Sequence, residues 1–326
     1  QLVDDLPHAY VTDPEAYNLY LRAIELRAGF SLERMNQAEI LLKQVIEIDS
    51  EYGPALVRLS GLMAELGGWN FRPIEQAFEA ARAYADRAIA TNPEYSEAYA
   101  QRASIAYRFD RDYASARRLL HTALELDPHN LDARARIGLL DLLEGRQGLY
   151  VSPLRELLEV DPLSIPAHRT LGHALMFTRQ YDEAAKIFAN ALEINPNSIV
   201  VHTSLGQALL LGGRIDEAQA EFEQEPFDGF RLYGLTMTEF ARGNHSKSDQ
   251  HLQDFLALED AHDYAAQLAE AYAYRGEADE AFHWLEYGFE LYDQGLVITP
   301  ANPKMDNLRD DPRFHAFVKR LQSPPN

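Results

Sequence analysis

Asp-Glu-Ala occurs three times in this chain, at 182–184, 216–218 and 279–281. Adjacent carboxylates are the raw material of acid–base catalysis, and a pair flanking a glycosidic bond would suffice for glycan hydrolysis. Recurrence argues for another role, because an active site is built once. At the start of a predicted helix, Asp can cap free amides and Glu can meet the positive end of the helix dipole.

Other chemistry finds less support. None of the eleven histidines shares the i, i+4 spacing with Glu that a zincin helix uses, and His168 and His202 fall at equivalent places thirty-four residues apart, which predicts packing. The chain has no cysteine, so zinc–thiolate sites, disulfides and thiol catalysis are excluded. It lacks GxGxxG, GxSxG and a phosphate loop ending in Lys-Ser or Lys-Thr. No catalytic residue, metal site or cofactor is expected, and the chain reads as non-enzymatic.

Charge narrows the partners. Thirty Lys and Arg against fifty-one Asp and Glu leave −21 over 326 residues, a surface that repels a phosphate backbone. Nucleic acid is not expected to bind. No apolar run approaches the roughly 20 residues of a membrane helix, so direct insertion of this segment is not expected. The opening QLVDDLPHAY, without a start methionine or a signal-peptide pattern, reads as a piece of a longer chain.

The elements that would position any site emerge from a repeat. Pro93, Pro128, Pro162 and Pro196 are spaced by 35, 34 and 34 residues, a helix-turn-helix period. At fixed distances before each proline stand residues of matched size: Ala81, Ala85 and Ala88; Ala116, Leu120 and Ala123; Tyr150, Leu154 and Leu157; Ala184, Phe188 and Ala191. Small residues let paired helices approach, larger ones fill the seam, and proline ends the second helix. Beyond Pro196 the ruler continues as glycine followed five residues later by a small residue: Gly213 and Ala218, Gly243 and Ser248, Gly276 and Ala281. Five extra residues precede Ala38 and nine surround LGGWNFRP at 66–73, where Trp69 and Phe71 either pin a loop or meet a partner.

Leu171, Gly172, Ala184, Phe188, Ala191 and Pro196, followed by Leu205, Gly206, Ala218 and Phe222, resemble the tetratricopeptide repeat family. The resemblance implies an all-α, right-handed superhelical solenoid, a single domain of about eight repeats. These fall at 14–50, 53–93, 96–128, 131–162, 165–196, 199–226, 229–258 and 262–292, with a C-terminal cap at 296–322 turning Phe314, Phe317 and Leu321 inward. Outward positions of each first helix should then line a concave groove for a peptide or protein. By offset these include Tyr107, Arg108, Arg169, His173, Phe177, Gln207, Tyr233, Met237 and Tyr274, with Glu270 continuing the row. Arginine and aromatic residues carry much of the energy at interfaces.

VTDPEAYNLYLRA at 11–23, YRGEADEAFHWLEYGFE and NLRDDPRF are similar to the carboxy-terminal repeat region of bacterial membrane-anchored signalling proteins of the winged-helix regulator or nucleotide cyclase type. That similarity implies a sensing or scaffold arm on the extracytoplasmic, periplasmic side, with a cytoplasmic location as the alternative. Two further readings compete with a groove-binding module: a helical-array glycan hydrolase, and a purely structural dimerisation arm forming a homo-oligomer.

Overall fold

The computed structural model describes residues 12–27, 32–69, 71–146, 150–196, 198 and 200–324. Residues 1–11 and 199, used above to place the chain start and one repeat boundary, lie outside them. Every regular element among the described residues is helical. The α-helices run in hairpins: α1 (Pro14–Arg27) with α2 (Leu32–Ile48), α3 (Gly53–Gly68) with α4 (Ile74–Thr91), and α5 (Ser96–Arg108) with α6 (Tyr113–Leu126). They continue as α7 (Leu131–Leu143), α8 (Val151–Val160), α9 (Ile165–Phe177), α10 (Tyr181–Ile194), α11 (Val201–Leu211) and α12 (Ile215–Gln224). The series closes with α13 (Asp228–Ala241), α14 (His245–Leu256), α15 (Ala265–Arg275), α16 (Ala278–Glu290) and α17 (Pro312–Leu321). The residues up to Ile137, with those from Gln322, form one compact unit, and Gly138–Leu321 form another.

The spacing of small and large residues becomes packing in each unit. In the first, Ala38, Leu42 and Val45 of α2 and Ala81 and Ala85 of α4 are fully buried in one cluster with Leu59, Leu62 and Phe78. In the second, Ala184, Phe188 and Ala191 of α10 and Ala218 and Phe222 of α12 are equally inaccessible. Gly172 of α9 shows why the small residue is needed: a Cβ there would stand 2.5 Å from the Phe188 ring. The aromatic ring of the outer helix occupies the space that a side chain on the inner helix would fill.

Each hairpin ends in turns readable from residue type. Asn92 and Asp127 take extended backbone ahead of Pro93 and Pro128, the conformation a following proline enforces. Their side-chain oxygens then accept from Glu94 N at 3.1 Å and His129 N at 2.9 Å, closing the turn into the next helix. Inside the hairpins a left-handed residue recurs at Arg111, Gly145, Arg179, Gly213, Gly243 and Gly276, with φ between 54° and 79°. The first four are 34 residues apart. Gly145, Gly213, Gly243 and Gly276 therefore mark a backbone requirement, which arginine meets at the other two hairpins.

The long insertion at 66–73 lengthens helices more than it adds a loop. α3 has 16 residues and α4 has 18, against 13 and 14 for α5 and α6. Arg72 secures the turn between them, donating to Glu39 Oε2 at 2.5 Å and Asn36 Oδ1 at 3.3 Å, while Trp69 and Phe71 stay exposed. Burial would raise the Glu39 pKa, but the hydrogen bonds from Arg72 and Lys43 hold it below the usual carboxylate value.

α17 closes the second unit. Phe314, Phe317 and Leu321 are buried, Phe317 meets Phe289 of α16 edge-on at 5.9 Å, and Arg313 and Arg320 pair with Asp279 and Glu286, each at 2.7 Å. Between α16 and α17 the chain runs as two 3-10 turns, Gln294–Ala301 and Pro303–Leu308.

Gly276→Ala should cost about 1–2 kcal/mol, the penalty of a left-handed L-residue, since nothing lies within 4 Å of the added Cβ. Urea unfolding would measure it, and the same change at Gly213 should cost a similar amount.

Candidate functional site

The acidic pairs are dispersed along outer helices. Asp182 and Glu183, Asp216 and Glu217, and Asp279 and Glu280 lie in the first turns of α10, α12 and α16, where the helix dipole favours them. The expected Asp cap is absent: the N-cap positions are Gln180, Arg214 and Glu277, and none makes a side-chain cap hydrogen bond. The Asp residues stand two positions inside the helix, past the geometry a cap requires. Their outward faces carry ion pairs. Arg155 clasps Glu183, Arg214 meets Glu217 at 2.6 Å, Arg242 meets Asp216, and Arg313 meets Asp279. The hydrogen bond from Arg155 holds Glu183 below the usual carboxylate pKa. Among the described residues no group of three His, Asp or Glu side chains could hold a metal ion, and no helix is long and apolar enough to cross a membrane.

The two histidines at equivalent repeat positions both bond locally. His168 Nδ1 lies 2.9 Å from Ser164 O, and His202 Nδ1 lies 2.8 Å from Glu221 Oε2.

The groove positions divide between the two units. In the first, Tyr107 is buried, its ring edge-on to Tyr113 at 6.3 Å. Its hydroxyl is met by Arg136, whose Nε also donates to Asp132 Oδ2 at 2.7 Å. Arg108, the last residue of α5, is half-buried.

In the second unit α9 supplies Arg169, His173 and Phe177, α11 supplies Gln207, α13 supplies Tyr233 and Met237, and α15 supplies Tyr274. Arg169, His173 and Tyr274 are half-buried, and Phe240 lies edge-on to Tyr274 at 6.4 Å. Phe177, Gln207, Tyr233 and Met237 are buried, the last two with no exposed surface. Together with Tyr107 these four correct the outward, open placement expected from their repeat offsets.

In the second unit the cause is visible. The 3-10 turn Pro303–Leu308 packs on α15 and sends Lys304 across to α11, so the face carries a segment of its own chain. Lys304 is buried with its ammonium 2.9 Å from Glu270 Oε2 and 3.0 Å from Gln207 Oε1, and 5.8 Å from the centre of the Tyr233 ring. Asn302 Nδ2 donates to Glu270 Oε1 at 2.6 Å, and the Tyr233 hydroxyl donates to Oε2. Burial and the neighbouring Glu270 push the Tyr233 pKa well above its ordinary value, so the phenol stays a donor. The Glu270 carboxylate thus receives Lys304, Tyr233 and Asn302 together, the compensation a buried charge requires.

Gln207, Tyr233 and Glu270 were identifiable from repeat offsets as members of one row, and they do converge. Lys304 and Asn302 lie outside the repeat and carry no offset. The signal was compositional: Lys304 is the single charged residue between Gln294 and Met305, in a stretch otherwise apolar or neutral.

His173 adjoins this cluster. Its ring stacks on Phe177 at 6.0 Å, meets Phe188 edge-on at 5.2 Å, and places Nε2 3.5 Å from Ser204 Oγ. Burial, with Arg169 and Lys304 as neighbouring cations, drives its pKa down to about 3. The ring is neutral in the folded protein at any ordinary pH.

With this geometry in hand, comparison with known proteins separates sequence from fold. Residues 178–228, spanning α10 to α12, match the sequence profile of the tetratricopeptide repeat. No curated protein matches the chain. The fold is similar to that of a human IFIT1 dimer with PPP-AAAA at TM-score 0.51 and 17% identity, covering 97% of this chain and 92% of that one. Yeast Tom70 aligns at TM-score 0.48 and 16% identity over 96% of this chain and 69% of its own. The Pseudomonas aeruginosa pilF protein aligns at 0.36 and 16% over 75% and 93%. The IFIT1 likeness shows the fold, an all-α repeat array of helix pairs.

Two outcomes follow from the buried cluster. Glu270→Gln leaves Lys304 uncompensated and should cost about 3–5 kcal/mol of unfolding free energy, whereas Glu270→Gln with Lys304→Met should recover most of it. His173 has a folded pKa near 3 and an unfolded value of about 6.5, so its contribution is complete above pH 6.5 and falls as the unfolded chain takes up the proton. Between pH 6.5 and 5 the wild type should lose up to about 1.4 kcal/mol per pH unit more than His173→Gln in urea titrations.

Proposed function

We propose that the chain is a non-catalytic protein-interaction module that presents the inner helices of its repeats to a polypeptide partner. Tetratricopeptide repeats are generally protein-binding modules, and one observation carries the reading here. The inner face of α11, α13 and α15 holds a short 3-10 stretch of polypeptide by side-chain contacts, which is what a peptide-binding groove must do. Arg108 in the first unit and Arg169 in the second are the arginines we assign to the partner's contact, since arginine is favoured at interface hot spots. The partner is a protein or peptide; a net charge of −21 disfavours nucleic acid.

We place this module as the sensing or scaffold arm of a larger bacterial signalling protein, on the similarity of its first helix and its YRGEADEAF and NLRDDPRF segments to such regions. The glycan hydrolase reading gains nothing from the geometry, since the carboxylate pairs are distributed over three outer helices.

A photo-crosslinking residue at position 108 or 169 should capture a discrete protein in the native host. The same residue at Lys247, 70% exposed on an outer helix, should not. Equal capture at all three positions would remove the groove assignment.

A further inference from the structure

The segment between α16 and α17 is attached to the rest of the second unit in an unusual way. From Thr299 to Arg309 its backbone hydrogen bonds close on the segment itself: Asn302 N to Thr299 O, Met305 N to Asn302 O, and Arg309 N to Asp306 O. Its polar links to the inner helices come from side chains. They are Asp293, which accepts from Ala266 N at 2.9 Å, Asn302 and Lys304 to Glu270, Lys304 to Gln207, and Asn307 to the carbonyls of Ala273 and Tyr274 at 3.0 and 3.2 Å. A strand or helix of the fold would be tied by main-chain ladders or by a continuous apolar stripe. Residues 302–308 are held largely through side chains, with Lys304 seated in a polar socket, Asp306 paired to Arg179 at 2.8 Å, and Pro303, Met305 and Leu308 buried beside them.

Both ends are fixed independently of that socket. α16 and α17 pack on one another through Phe289 and Phe317, with Arg313 and Arg320 paired to Asp279 and Glu286. Lifting the segment would therefore leave the terminal helix in place, and the cost of closing the loop is already met by its anchored ends.

We infer that the Glu270, Gln207 and Tyr233 socket is a recognition site for a lysine-bearing, proline-bent stretch of polypeptide, occupied in the resting protein by residues 302–308 as an intramolecular competitor. This rests on the groove reading above and adds the chemistry of the partner. Glu270 supplies the countercharge, and the Gln207 carbonyl oxygen accepts a second ammonium proton. The Tyr233 ring adds a face for the cation. An amide at the Asn302 position completes the carboxylate. A segment tethered at both ends acts at an effective concentration of order millimolar, so a free peptide of equal intrinsic affinity is outcompeted until the tethered copy is weakened.

The test uses the full chain and the synthetic peptide PANPKMDNL, the sequence of residues 300–308. Fluorescence anisotropy should show the labelled peptide binding Lys304→Ala at least tenfold tighter than wild type. The peptide with alanine for its lysine should show no such gain. Equal binding to both proteins, or equal binding by both peptides, would overturn the proposal while leaving groove crosslinking at Arg108 or Arg169 untouched. Should Lys304→Ala fail to fold, hydrogen exchange on the wild type decides. Amides of 304–308 should exchange at least tenfold faster than those of α13 and α15. Exchange only with global unfolding would make the segment permanent core and end the idea.

Discussion

An aromatic ring on one helix lying where its partner helix has no side chain is the interaction on which the array depends. Phe188 fills the space left by Gly172, and Phe222 does the same against Gly206. Close approach lets a hairpin of about 30 residues, too small to bury its own apolar face, expose that face in a form the next hairpin can cover. Repetition follows, because each pair covers the last and creates the same requirement again.

The requirement has to be met differently where the series stops. At the end of the second unit α17 covers α16 with Phe314, Phe317 and Leu321, while the preceding 3-10 turns run onto the inner helices. The apolar cover is ordinary. Burying Lys304 beside Glu270 is not, since a buried ion pair rarely stabilises more than well-packed apolar groups would. What such a pair adds is discrimination: one register of the segment satisfies the carboxylate, and any slip leaves a charge unmatched. That property suits recognition better than it suits support.

The helix-pair period, the small-and-large alternation and the inward residues of the cap were legible because they are local and repeat. Ala184, Phe188 and Ala191 announce themselves by distance from Pro196. Two kinds of feature were not legible. Whether a groove position such as Tyr233 faces solvent depends on a segment some 70 residues away that follows no period. The role of Asp182 depended on a boundary shift of two residues, which separates a cap from a first-turn carboxylate. The equivalence of Arg111 and Arg179 with the glycines of later hairpins was hidden for a third reason: the constraint acts on the backbone angle, and residue type reports it imperfectly.

Arg242 and Arg275 each stand immediately before a left-handed glycine and reach back to the preceding outer helix, to Asp216 and Asp249. Neighbouring hairpins in this stretch are thus keyed by a matched cation and anion carried on different copies. An excision that began and ended at different points of two hairpins would strand an arginine on one side of the join and an aspartate on the other, even where the apolar seams would still mate. Gain or loss of a copy by recombination is therefore least disruptive when the crossover falls at equivalent points of two hairpins, which preserves the pairing, so that charge as well as shape fixes where a copy begins and ends.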